Sequence, residues 1–422
     1  MNKLLTFVVA LLMIGAVTAA AVYFLFPYEP KQPPRADDTG YTAEGIQDVV
    51  DANNQFAFDL YSELVRSENG NIFYSPYSIS AALAMVYEGA KGKTADEIKS
   101  VFHFPESSIL RPNFAAIYNA VNLRNEAYES RTGNALWVQK DYPFIEDYTG
   151  TIEKYYGGKA ANVDFVKETE KSRQTLNRFI EEQTNNKIKD LIAPSLLNPN
   201  TRLVITNAIY FKGTWEWEFD KSNTQERNFK ITPANVVKTQ MMYMKPEREA
   251  MLNYADIEGL QLLELPYRGE ELSMVILLPT ENLASIESDL TAEKFSEYKS
   301  QMQETKLDAV YIPKFEFDTK YSLKENLAAL GMPTAFSDSA DFSGMTIAEK
   351  LFISAVIHQA YVKVDEKGTE AAAATAVIME VTSAGPSQKP KIFNADHPFI
   401  FIIQQKETGN ILFIGRVTDP NK

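Results

Sequence analysis

Chemistry needs nucleophiles, acids, bases or metal ligands, and this chain is short of them. It has no cysteine and only three histidines, His103, His358 and His397. The missing cysteine rules out disulfides, thiolate metal sites and a thiol nucleophile, and is neutral about compartment for a core this large. No HExxH, GxSxG, GxGxxG or GxxxxGK(S/T) pattern occurs. The usual frames for metal-assisted hydrolysis, acyl transfer, dinucleotide binding and phosphate cradling are therefore absent. No catalytic residue, metal site or cofactor is expected. A hydrolase using one of the serines would lack a recognisable nucleophile motif.

One stretch is unusual in composition. Asp365 to Val381 reads DEKGTEAAAATAVIMEV, and Ala371 to Ala376 holds nothing larger than threonine. Three conformations compete for it. Consecutive alanines favour a helix, but Thr375, Val377, Ile378, Val381 and Thr382 are β-branched. A flexible linker fits poorly with Val, Ile and Met in the run. In a strand, alternate residues face opposite ways. Thr369, Ala371, Ala373, Thr375, Val377, Met379 and Val381 would then form an uncharged face, with Glu370 and Glu380 on the other. Turn-forming residues from Ser383 to Pro390 follow, an exposed and protease-accessible context.

The elements around this stretch read as helices early and strands late, an α+β order. Apolar residues recur at helical spacing from Ile46 to Val65, and helices are expected near 76–87, 94–102, 113–125, 148–156 and 171–184. Ser75 before Pro76 fits an N-cap with proline at the first helical position. Thr94 to Glu97 fits a capping box. LVITNAIYFKG, LQLLELPY, LSMVILLP and DAVYIPKFEF read as strands, and PFIFIIQQKETGNILFIGRV as a buried terminal hairpin turning at Lys406 to Asn410.

With 422 residues, 45% of them hydrophobic, the chain can bury a sizeable core. A net charge of −14 without any Lys/Arg stripe argues against nucleic acid and heparin as partners. At the front, one cation, Lys3, precedes 23 uncharged residues, Leu4 to Phe26. Residues 1–26 read as an uncleaved signal anchor, or as a signal peptide cut near Ala19 to Ala21. Either way the body lies outside the cell or on its surface. Residues 27–45 read as a Pro-rich extracytoplasmic linker, and 46–422 as the folded domain. Membrane association is expected only through the N-terminal segment.

VDEKGTEAAAATA resembles the reactive-loop hinge of the serpins, the serine protease inhibitor family. NIFYSPYSISAALAMVYEGAKGKTADEI, LVITNAIYFKGTWEWEF, YIPKFEF, LGMPTAFSDSADFSGM and FNADHPFIFIIQQKETGNILFIGRV are similar to further serpin motifs, and they occur in the family's order. The long apolar run and linker at the front depart from it. The resemblance implies a serpin fold of three β-sheets and about nine helices, with an exposed reactive-centre loop, in a monomeric body that performs no turnover. It implies an irreversible suicide substrate of serine endopeptidases, trapped as a covalent acyl-enzyme when the cleaved loop inserts into the central sheet. Strand insertion of this kind is itself a standard example of β-augmentation.

Carried over residue by residue, the hinge is Glu366, Lys367, Gly368, Thr369, Glu370, Ala371, Ala372, Ala373, Ala374 and Thr375. Counting from Glu366 as the first of seventeen places the reactive bond at Thr382–Ser383, with Val381 as the alternative. Threonine or valine before the bond suits elastase-like proteases, and no basic residue lies between Lys367 and Lys389. Ser75, Ser78, Asn207 and His358 match residues that control sheet opening, and Trp215 matches a tryptophan where the strands part. Ion pairs of Glu366 and Lys367 would anchor the hinge. A non-inhibitory member acting as a chaperone or binding protein is the alternative.

Overall fold

The computed structural model describes residues 35–122, 128–246, 250–257, 259–347, 351–369 and 390–422. Nine α-helices occur among them: α1 (Ala43–Ser67), α2 (Pro76–Gly89), α3 (Gly92–Val101), α4 (Ser107–Val121), α5 (Glu146–Tyr156), α6 (Thr169–Gln183), α7 (Ala284–Glu287), α8 (Ala292–Ser300) and α9 (Lys324–Leu330). The Thr42 side chain caps α1 by accepting from the Gly45 N–H, and the helix buries Val49, Asn53, Phe56, Leu60 and Leu64 at the 3–4-residue spacing of one face. Ser75 caps α2 through Ser78 N–H, with Pro76 in the first turn. The capping box at Thr94 is not formed. Helix α3 starts earlier, at Gly92, without a side-chain cap. Thr94 and Glu97 instead accept hydrogen bonds from Asp341 and Thr334, because a tertiary neighbour competes with the local cap.

The strands form three sheets. The first runs β13 (Phe315–Ser322), β14 (Ile353–Asp365), β15 (Gly368–Thr369), β5 (Leu203–Thr214), β3 (Ala135–Gln139) and β4 (Lys159–Val163), with β2 (Tyr128–Thr132) also on β5. The second runs β1 (Ile72–Tyr74), β18 (Ile411–Val417), β17 (Phe399–Gln405), β10 (Leu272–Pro279), β9 (Leu260–Pro266), β8 (Leu252–Ile257) and β11 (Gln303–Thr305). The third contains β16 (Ile392–Asn394), β12 (Ala309–Pro313), β7 (Asn235–Met244) and β6 (Gln225–Thr232). The terminal hairpin is β17–β18, buried on both faces as its unbroken apolar pattern requires.

Alternation along β5 explains how the first sheet is covered. Leu203, Ile205, Ile209 and Phe211 enter the main core, while Val204 and Ala208 enter a smaller cluster with Trp137 and with Leu176 and Ile180 of α6. The sheet is therefore apolar on both sides, and any strand added to it would be buried on both sides too. No helix among the described residues is long and apolar enough to cross a membrane. Leu4 to Phe26 lies outside the described residues.

Candidate functional site

The site lies where β14 and β5 part. These two strands pair in parallel from Ile353–Leu203 to Ala360–Ile209. Beyond that, the chain turns at Glu366 and Lys367 and comes back as β15 between them. Thr369 pairs antiparallel with Val364 on one side and Gly213 on the other, and Gly368 with Asp365 and Thr214. One parallel pairing is thus replaced by two antiparallel ones, the slightly more stable ladder per residue.

Each residue of this turn is held by tertiary contacts. Trp215 is buried, stacks on Tyr267 at 4.6 Å between centroids, and donates from Nε1 to the Asp365 carbonyl at 3.1 Å. Its backbone N–H donates to the Lys367 carbonyl at 2.8 Å, and that of Phe219 donates to the Glu366 carbonyl at 2.7 Å. Trp215 is thus both a core aromatic and a clasp on the turn. The Thr369 hydroxyl meets the Tyr267 hydroxyl at 2.7 Å, so Thr369 faces the main core. At Gly368 a Cβ would lie 1.9 Å from the Gly213 carbonyl oxygen, so no other residue fits without moving backbone.

The two hinge charges behave differently. The Glu366 carboxylate is buried, 2.8 Å from Lys314 Nζ and accepting from Thr224 Oγ1 at 2.8 Å. Burial pushes its pKa upward, but Lys314, the backbone and Thr224 outweigh that and hold it below the usual value. Asp365 goes the other way, raised chiefly by burial despite accepting from Lys367 N–H. Lys367, expected as a second anchor, makes no salt bridge among the described residues, whereas Glu366 pairs with Lys314.

Lower in the same seam, His358 and Asn207 are direct neighbours across β14 and β5. His358 Nε2 accepts from the Ser75 backbone N–H at 3.2 Å. Its proton is therefore on Nδ1, which donates to Asn207 Oδ1. Burial lowers the His358 pKa to about 3, so the ring is neutral at physiological pH. Asn207 Nδ2 donates to the Ser78 carbonyl and hydroxyl, each at 2.6 Å, and to Asn134 Oδ1 at 2.5 Å. The Ser75 hydroxyl is spent on capping α2. The structure thus gathers Ser75, Ser78, Asn207 and His358 into one buried network pinning α2 beneath the sheet.

Asn134 belongs to that network and was not anticipated. Gly133 and Asn134 interrupt β2 and β3, both of which pair with β5. The register against β5 is the same on both sides, Thr132 with Ile209 and Ala135 with Thr206, so the interruption inserts no extra residue; a Gly–Asn pair inside a strand pattern is the signal that marks such a break. Tyr267, Lys314 and Thr224 carried no such signal. Of the expected site residues, Glu370, Ala371, Ala372, Ala373, Ala374, Thr375, Val381, Thr382 and Ser383 lie outside the described residues.

Comparison with known proteins agrees with this geometry. The family model Serpin (serine protease inhibitor) matches residues 51–420. An uncharacterized serpin-like protein of Methanosarcina mazei is 40% identical over 425 residues, 99% of this chain and 97% of that one. Leukocyte elastase inhibitor A of Rattus norvegicus is 39% identical over 384 residues, 89% of this chain and all of that one. The crystal structure of uncleaved ovalbumin is 32% identical, with a TM-score of 0.80 over 88% of this chain and 100% of that one. With the fold, the ordered motifs and these matches in agreement, the chain belongs to the serpins, the serine protease inhibitor family.

Proposed function

We propose that the chain inhibits serine endopeptidases as a single-use substrate, with elastase-like enzymes as its targets. The observation that carries this reading is β15: Gly368 and Thr369 already occupy the slot between β14 and β5 in antiparallel register with both. The protease serine attacks the Thr382 carbonyl, the amine of Ser383 leaves, and an ester joins the two proteins. The released loop then extends β15 down the seam, carrying the protease with it before water reaches the ester.

Continuing the observed register makes this concrete. Ala371 would fall between Val362 and Phe211, Ala373 between Ala360 and Ile209, and Thr375 between His358 and Asn207. Thr369 faces the main core, so these small residues follow it on that face, where an unpaired charge would cost several kcal/mol. About fourteen added residues contribute on the order of 10 kcal/mol in hydrogen bonds. The intact form is then held by a barrier and lies above its nicked form in free energy.

Thr382, with Val381, Met379 and Ile378 before it, favours small apolar specificity pockets, and a rat relative is named for inhibiting leukocyte elastase. On this reading the body works as a monomer outside the cell, tethered by Leu4 to Phe26 or released from it. Mixing the chain with an elastase-like protease should give a complex that survives boiling in detergent, and mass spectrometry of the released peptide should read the Thr382–Ser383 cut. Clean cleavage with no such complex would refute inhibition and leave the binding-protein alternative.

A further inference from the structure

The chain holds a single Asn–Gly step, Asn69–Gly70, in the short connection between α1 and β1. Both residues are exposed. The Asn69 side chain and the Gly70 N–H hydrogen-bond to no group among the described residues. A Cβ built on Gly70 would meet nothing within 4 Å, so the space beside this peptide nitrogen is open.

The carbonyls that flank the step are held. Buried Arg416 donates from Nη2 to the Glu68 carbonyl at 2.6 Å and to the Gly70 carbonyl at 2.7 Å, and from Nε to Gly70 again at 3.1 Å. Its Nη1 pairs with Glu287 at 3.3 Å, and its backbone is fixed opposite Ile72 in the β1–β18 ladder. The turn thus offers a buried guanidinium its acceptors on one side and leaves a solvated N–H beside a free amide on the other. Charge-assisted bonds of this kind are the stronger ones, and a buried cation left short of acceptors is destabilising.

We propose that Asn69 is a self-modification site whose conversion to isoaspartate releases the Arg416 clasp. Hydroxide removes the Gly70 amide proton, the nitrogen attacks the Asn69 side-chain carbonyl carbon, and ammonia leaves as a succinimide ring closes. Water then opens the ring at either carbonyl, giving aspartate or isoaspartate. Glycine permits this approach because it has no side chain to crowd the nitrogen. Isoaspartate lengthens the main chain by one carbon ahead of Gly70. The Glu68 and Gly70 carbonyls then no longer both meet a guanidinium whose own place is set by Glu287 and β18.

The test incubates the full chain in mild alkali made with heavy-oxygen water and maps its peptides by mass, using electron-transfer fragmentation to tell isoaspartate from aspartate. Asn69 should convert at least about tenfold faster than Asn223 and Asn235, which are also exposed but precede threonine and valine. Gly70→Ala has room for its methyl group and a backbone outside the left-handed region, so it should keep the melting temperature and slow conversion by the same factor. The isoaspartate form should melt about 2–4 °C below the unmodified chain. Asn69→Asp adds the charge without lengthening the main chain and should melt within about 1 °C of it. Conversion of Asn69 no faster than Asn235, or undiminished conversion in Gly70→Ala, overturns the modification site. Equal melting of the isoaspartate and unmodified forms overturns the release of Arg416.

Discussion

Replacing Asn207 by alanine should separate the intact from the nicked molecule. In the intact form the Asn207 amide accepts from His358 and donates to Ser78 and Asn134, all buried. Its removal orphans the His358 Nδ1–H, a loss of about 1–3 kcal/mol, and removes weaker bonds besides, so the intact form should lose about 2–4 kcal/mol. With an unfolding entropy of about 0.8 kcal/mol/K for a body of this size, that lowers its melting temperature by about 3–5 °C. In the nicked form the continued register places Thr375 between His358 and Asn207. A strand between them moves the two apart to about 10 Å, twice the ~4.8 Å interstrand spacing, and the threonine hydroxyl is offered to His358 instead. Asn207→Ala should then cost the nicked form less than about 1.5 kcal/mol. Thr375→Val should do the opposite, sparing the intact form and lowering the nicked one. Differential scanning calorimetry of both forms reads these shifts. Equal falls for Asn207→Ala in the two forms would refute the register, and with it the reasoning that His358 changes partner on insertion.

Three further outcomes follow from the same geometry. Gly368→Ala should undock β15, because its Cβ would meet the Gly213 carbonyl oxygen at 1.9 Å; protease titration should show cleavage continuing while trapping falls at least about tenfold, equivalent to ~1.4 kcal/mol at the branch point. Thr369→Arg would bury a charge beside Tyr267 and should leave cleavage intact while abolishing the detergent-stable complex. For pH, the folded pKa of His358, about 3, lies below its unfolded 6.5, so its contribution is complete above 6.5 and is lost as pH falls toward 3. Stability of the intact form should drop by about 1 kcal/mol between pH 7 and pH 5.5 through this group, and His358→Gln should remove that part of the slope in denaturant titrations. Glu366, held below its usual 4.5, adds a loss only in stronger acid.

Much of this protein was legible in its residues because the relevant signals are local. Ser75–Pro76 marks the start of α2, and unbroken apolar runs mark β17 and β18 as buried strands. The alternation from Thr369 to Val381 names the uncharged face before any partner strand is known. Local signals also misled, as at Thr94 and Glu97, where a cap pattern is overruled by partners more than two hundred residues away.

What composition and spacing determined by themselves is that a proline-free ribbon with one charge-free face follows Gly368, and that the chain lacks the usual catalytic frames. Only the tertiary structure decided where that ribbon begins to pair, which proton His358 carries, and that Glu366 is buried on Lys314 while Lys367 is not. Those outcomes depend on β5, β14, α2 and the Lys314 segment meeting in space. Burial and hydrogen-bond partners arise from such meetings, and no single stretch of chain encodes them alone.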